Sequence, residues 1–190
     1  MVNTEKSENF MRIIAGKFRG LKLESLAGVA TRPTGDHIKE SIFNIIQSHL
    51  PCGKVLDLFA GSGSLGLEAL SRGAEFAVLV DNNRAAVDVI RRNAARLKLE
   101  TADVSVVSRD YLSYIKSSID KFDIIFLDPP YGRGYLAKAV EAIRDCGILA
   151  YDGILVIESE VGGESVEFEG FEAIKTKEYG RILVNVLRNM

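Results

Sequence analysis

At 190 residues, with 47% hydrophobic and 26% charged residues, 17 Gly and 4 Pro, the chain has the make-up of one globular domain and excludes a fibrous, disordered or multi-domain protein. The polar first ten residues carry no signal peptide and no apolar run approaches the roughly 20 residues of a membrane span, so a cytoplasmic protein without a membrane partner is expected. Cys52 and Cys146 are isolated, which excludes a disulfide framework or a zinc site, and no metal is expected.

The net charge of -2 hides an asymmetry. Residues 12 to 39 hold six basic side chains (Arg12, Lys17, Arg19, Lys22, Arg32, Lys39) against Glu24 and Asp36, whereas residues 140 to 178 hold ten acidic ones against Arg144, Lys175 and Lys177. A basic amino-terminal face suits a polyanion.

Residues 1 to 10 read as a frayed tail. Arg12-Ile13-Ile14 and Leu21-Lys22-Leu23 alternate on either side of a glycine-bounded loop, which predicts a hairpin with Lys17, Phe18 and Arg19 at its tip, a small surface for phosphate and base stacking. Thr31-Arg32-Pro33-Thr34-Gly35 then leads into a helix carrying Ile38, Ile42, Ile45 and Ile46 at helical spacing, with Thr34 or Asp36 as its cap. His37 and His49 have no second histidine within helical reach and read as exposed.

The span from Lys54 to Phe59 is the next strand, and Ala60-Gly61-Ser62-Gly63-Ser64-Leu65-Gly66 turns it into a helix. Glycines there let the backbone approach a ligand at a helix amino terminus. The spacing is a literal G-x-G-x-x-G, and Asp81, at the end of the strand beginning at Phe76, lies 20 residues after Gly61, where an acid binds ribose hydroxyls. A dinucleotide site is therefore a rival. Asp57 argues against it, because a carboxylate at that strand tip repels a pyrophosphate and suits a cationic amino-acid group. A ligand with a ribose and a positive end describes S-adenosylmethionine.

A helix with Ala86, Ile90, Ala94 and Leu97 on one face leads to a strand from Val104 to Val107 and then to Asp110, which either accepts from an adenine amino group or caps the next helix. The apolar run Phe122-Asp123-Ile124-Ile125-Phe126-Leu127 reads as a buried central strand ending in Asp128-Pro129-Pro130-Tyr131. Successive prolines lock φ and remove two backbone donors, so the carbonyls of Asp128 and Pro129 become fixed acceptors. An acid, rigid carbonyls and an aromatic ring in four residues make a pocket for a flat molecule carrying an amino group. A helix with Leu136, Val140 and Ile143, a strand from Gly153 to Glu158, and a closing antiparallel pair over 171–178 and 182–187 complete the chain. Strands alternating with helices predict an α/β fold, a mostly parallel sheet covered on both faces with an antiparallel edge.

Asp57-Leu58-Phe59-Ala60-Gly61-Ser62-Gly63 together with Asp128-Pro129-Pro130-Tyr131 resembles the class I S-adenosylmethionine-dependent amino methyltransferases. More narrowly, Arg12-Ile13-Ile14-Ala15-Gly16, Thr31-Arg32-Pro33-Thr34, Glu40-Ser41-Ile42-Phe43-Asn44 and the stretch from Leu65 to Ala74 look like the small RsmD-type enzymes, which methylate the exocyclic N2 of a guanine in bacterial 16S ribosomal RNA. The likeness runs from residue 11 to about 188.

The resemblance implies a Rossmann-like, seven-stranded, mostly parallel sheet with a reversed last strand, plus a small amino-terminal β-hairpin. Residues 1–30 would form the tail and hairpin appendage, and 31–190 the S-adenosylmethionine-dependent methyltransferase domain. Cofactor contacts are expected from Thr34, Asp57, Phe59, Gly61, Gly63, Asp81, Asn82 and Asp110, with Asn82 standing where the class often places an apolar contact to the adenine. Asp128, Pro129 and Tyr131 are the expected catalytic residues, and Arg12, Lys17, Arg19, Arg32, Tyr131 and Arg133 the expected RNA contacts. The implied partner is 16S rRNA or a partly assembled small subunit; a monomer is expected from the chain's size and the lack of an obvious apolar surface stripe.

Asp128 and the Pro129 carbonyl would hold the amine hydrogens while Tyr131 stacks on an extruded base. A DNA adenine-N6 methyltransferase shares Asp-Pro-Pro-Tyr but usually carries a recognition domain for which 190 residues leave little room. A protein glutamine methyltransferase usually has Asn at position 128. A non-catalytic RNA-binding assembly factor would not need every motif position, and a nicotinamide oxidoreductase would leave Asp-Pro-Pro-Tyr without a task.

Overall fold

The computed structural model describes residues 11–26 and 34–190. The tail expected over residues 1–10, and Arg32 with Thr31 and Pro33, lie outside the described residues.

Two short strands, β1 (Met11–Arg12) and β2 (Lys22–Leu23), pair antiparallel as the expected hairpin. Helix α1 (Thr34–Ile45) follows, and then strands and helices alternate: β3 (Lys54–Asp57), α2 (Ser64–Ser71), β4 (Phe76–Asp81), α3 (Arg84–Arg96), β5 (Val104–Ser108), α4 (Tyr111–Ser117), β6 (Phe122–Leu127), α5 (Tyr135–Cys146) and β7 (Leu149–Glu160). β8 (Phe171–Tyr179) and β9 (Ile182–Asn189) close the chain. The sheet has seven strands in the order β5-β4-β3-β6-β7-β9-β8, parallel from β5 to β7, with β9 antiparallel to both its neighbours.

The pleat sends alternate residues to opposite faces. Along β6, Ile124 and Phe126 join one buried cluster and Ile125 and Leu127 the other. The first cluster takes Ile38, Ile42 and Phe43 of α1, Leu67 of α2 and Ile90 of α3, and the second takes Ile115 of α4 and Leu136, Val140 and Ile143 of α5. Covering both faces is why β6 reads as one unbroken apolar run. From β3 the chain steps outward to β4 and β5, then returns to the other side of β3 for β6 and β7. That reversal opens a crevice beyond the carboxyl ends of β3 and β6.

Several expectations need correction. β7 begins at Leu149, not Gly153, because its register against β6 shifts between Phe122 and Ile124 and exposed Tyr151 breaks the apolar pattern. β3 ends at Asp57 and not at Phe59. Asp36 lies inside α1 and cannot be its cap; it sits in the first turn, where a negative charge favours the helix dipole, and pairs with Arg12 at 3.2 Å. Lys39, counted with the basic face, is only 4% exposed. Phe18 is not free for base stacking, since its ring packs against the first core cluster.

The hairpin is tied to the domain through buried polar groups. Ile13 and Leu23 are fully buried. Glu68 on α2, also fully buried, accepts the amides of Ile14 at 2.8 Å and Ala15 at 3.0 Å, and the Arg72 guanidinium at 2.8 Å. Ser71 Oγ donates to the Ala15 carbonyl and accepts the Phe18 amide, and a Cβ on Gly16 would overlap the Ser71 carbonyl. On α3, buried Asn93 accepts the Glu24 amide at 2.8 Å and donates to the carbonyls of Glu24 and Ser62.

Candidate active site

The glycine turn after β3 is built for close packing. Gly61 and Gly63 hold φ of +55° and +81°, and a Cβ on Gly66 would collide with Leu79 of β4, so only glycine lets α2 settle against the sheet. The Gly66 amide donates to Asp57 Oδ2 at 3.1 Å. Asp57 is 1% exposed, and its Oδ1 is buried without a partner. Burial pushes its carboxyl up to about 7, the Asp81 charge adds to the effect, and the Gly66 amide offsets only part of it. At the tip of β4, Asp81 accepts the Gly61 amide through Oδ2 at 2.9 Å and the Asn83 amide through Oδ1 at 2.8 Å.

Next to β3 stands β6, with Asp57 opposite Phe126, so Asp128 emerges two residues beyond that pair. On its other side β7 places Ile157 opposite Leu127, which sets Glu158 beside Asp128. Asp128 is held well above the usual carboxylate range, first by burial and then by the charges of Glu158 and Asp57. Burial raises Glu158 as well. Tyr131, 40% exposed, donates its hydroxyl to Glu158 Oε1 at a long 3.3 Å, and burial with the Glu158 and Asp128 charges pushes its phenol up.

One cavity of about 830 Å³ is lined by all of these groups: the turn from Ala60 to Ser62, Asp57, Phe59, Asp81, Asn82, Asp110, Asp128, Pro129, Pro130, Tyr131 and Glu158. Its size falls within the range of small-molecule sites. The rings of Phe59 and Tyr111 lie 4.9 Å apart at a tilt of 41°, and those of Phe59 and Tyr135 stack at 6.2 Å, giving an aromatic wall. Asp110 caps α4, its Oδ1 accepting the Ser113 amide at 3.0 Å, and also borders the cavity, so the two readings of this residue are compatible. Gly63 is buried beneath the turn, where a Cβ would press on Leu67, Leu79 and Ile90. Thr34 opens α1. Arg133 lines the cavity mouth, while Lys17 and Arg19 are exposed on the hairpin and do not line it.

The sequence reading missed Glu158, Tyr135 and Lys39, all three of which line the cavity. Glu158 was the most findable: it follows the apolar run from Ile154 to Ile157 as Asp128 follows β6. Lys39 gives no such signal, and its Nζ donates to the Arg12 carbonyl at 2.5 Å and Ser64 Oγ at 3.1 Å, with Glu68 at 3.4 Å.

The arrangement fits a ligand with a cationic end. Buried carboxylates that cannot easily carry charge favour a positive partner, and Asp57 Oδ1 is an acceptor with no bond of its own. A family model described as "Conserved hypothetical protein 95" matches residues 11–188. The chain belongs to that family. This member of the conserved hypothetical protein 95 family is 40% identical over 174 residues to a putative rRNA methyltransferase, YlbH, of Bacillus subtilis, covering 90% of this chain and 94% of the relative. It is 30% identical over 190 residues to ribosomal RNA small subunit methyltransferase D of Haemophilus influenzae, covering 99% and 98% of the two chains. Among solved structures, a putative methyltransferase, yhhF, from Escherichia coli superposes with a TM-score of 0.84 at 34% identity, covering 95% of this chain and 98% of the other. Conserved hypothetical protein 95 thus joins a methyltransferase fold to relatives named for ribosomal RNA.

Proposed function

We propose that the protein is an S-adenosylmethionine-dependent methyltransferase of small-subunit ribosomal RNA, acting as a cytoplasmic monomer on the exocyclic N2 of a guanine in 16S rRNA or a partly assembled subunit. The observation that carries this is the meeting of Asp57, Asp128 and Glu158, from three adjacent strand tips, with the glycine turn around one cavity. Family membership and the relatives' names support the ribosomal substrate.

When bound, S-adenosylmethionine supplies an electrophilic methyl group on a positively charged sulfur. Asp57 Oδ1 would take the amino group of its methionine part, Asp81 the ribose hydroxyls, and Asn82, Asp110 and the Phe59 wall the adenine. Asp81 already holds two backbone amides, but a carboxylate has about four lone-pair directions, so room remains. The guanine amine is a weak nucleophile because its lone pair is spread into the ring. Asp128 and the Pro129 carbonyl would accept its hydrogens and turn the lone pair outward, with Tyr131 against the base face, so that the protein contributes placement and preorganised charge. Arg133 at the mouth, with Arg12, Lys17, Arg19 and Arg32 on the amino-terminal side, would meet phosphates.

The test is transfer of labelled methyl to unmodified small subunits, free rRNA and DNA in parallel, with digestion to nucleosides. N2-methylguanosine from the ribosomal substrate is expected, and Asp128→Ala should lower turnover about 100-fold or more. N6-methyladenosine from DNA, or an active Asp128→Ala enzyme, contradicts the proposal.

A further inference from the structure

Glu158 belongs to none of the sequence motifs, yet it stands at the β7 tip beside Asp128, because Leu127 and Ile157 are register partners. Both line the cavity, and among the described residues neither carboxylate has an ion-pair partner. Other charges surround them: Asp57 from β3, Asp81 from β4, Lys39 from α1, Arg109 and Asp110 after β5, and Arg133 after Pro130. Glu160 of β7 acts on Tyr131. Lys39 is occupied by Glu68, Ser64 and the Arg12 carbonyl and does not neutralise the pair. The one polar contact to Glu158 from the catalytic loop is the Tyr131 hydroxyl at 3.3 Å.

We propose, resting on the amine-methyltransferase reading of this site, that Glu158 is a positioning residue that keeps Asp128 a strong proton acceptor, so that Asp128 takes the proton released when the amine is methylated. In that step the amine lone pair forms the new N–C bond and the C–S pair stays on sulfur as a neutral thioether. The now cationic nitrogen passes one proton to the Asp128 carboxylate, and the proton later leaves to water. A second negative charge next to Asp128 in this half-buried site raises its proton affinity, as burial already does. Two such neighbours titrate as a pair.

The decisive measurement is a carbon-detected NMR titration of the side-chain carboxyls in the ligand-free protein, which does not depend on turnover. Glu158→Gln keeps the shape but removes the charge, and Asp128 should then titrate lower by about one pH unit or more. Glu158→Asp keeps the charge and should leave Asp128 near its wild-type titration. By reciprocity, Asp128→Asn should lower the titration of Glu158 by a similar amount, which decides the matter if the glutamine variant does not fold. An Asp128 titration unmoved by Glu158→Gln overturns the proposal. In turnover, the acid limb of the kcat profile should move to lower pH in Glu158→Gln with a several-fold lower plateau, and Glu158→Asp should keep the wild-type limb; a glutamine variant with the wild-type profile also overturns it. A wild-type protein inactive on rRNA would remove the proposed function, while the titration would still decide the role of Glu158.

Discussion

The amide of Gly61 donates to Asp81 Oδ2 at 2.9 Å, a bond that joins the turn after β3 to the tip of β4. The same carboxylate that would bind the ribose therefore holds the glycine turn in shape before any ligand arrives. Asp81→Ala should lose both functions. Hydrogen bonds to a charged group are worth about 1.5–3 kcal/mol, so S-adenosylmethionine affinity should fall by roughly 10- to 100-fold. Titration calorimetry reads this directly, and a dissociation constant within about twofold of wild type would refute it.

Asp57 makes stability depend on pH. Its folded carboxyl titrates at about 7 against a usual 3.8, so the folded state binds the extra proton over that window. Its contribution to stability is fully present below the unfolded value and is lost as pH rises through about 7. Asp57→Asn should consequently raise the melting temperature of the ligand-free protein at pH 8 relative to wild type, with the difference shrinking toward pH 4. It should also weaken S-adenosylmethionine binding. Thermal melts with and without cofactor across pH 4–8 test both, and equal melting temperatures at pH 8 would contradict the first.

Glu68 serves the hairpin, not the cavity. Replacing it by Ala leaves the amides of Ile14 and Ala15 unpaired and strands the buried Lys39 ammonium. Breaking a buried pair on one side costs about 3–5 kcal/mol. Chemical denaturation should show a loss of that order, and hydrogen exchange should show the two amides losing protection. Wild-type protection at Ile14 would mean the clamp lies elsewhere.

Lys17 and Arg19 are exposed on the hairpin, Lys17 with its ammonium 5.1 Å from the Phe18 ring centre. Replacing both by Ala should weaken RNA binding about equally across sequences and flatten the dependence of log affinity on log salt by about 2. Filter binding at several salt concentrations checks this, and an unchanged slope removes the hairpin tip from the RNA interface.

Much of this site was legible because the informative residues sit where strands end. β6 was read with its observed bounds, since an apolar run closed by two prolines leaves no other boundary. Asp57, Asp81 and Asp128 follow the same logic. Buried polar residues on helices were not legible: Glu68, Lys39 and Asn93 look like ordinary solvent-facing positions, and partners 25 to 69 residues distant show otherwise. Phe18 misled for the converse reason, an aromatic beside two cations that faces inward. The start of β7 was hidden by a register shift that no single strand records.

The Ile14 and Ala15 amides wait for a carboxylate 54 and 53 residues later, and Glu24 for an amide side chain 69 residues later. During synthesis the hairpin leaves the ribosome before α2 and α3, which carry its anchors. Closure of such long loops is entropically slow. The hairpin should thus assemble late, and its basic tip should gain a fixed orientation only once the glycine turn beside it has folded.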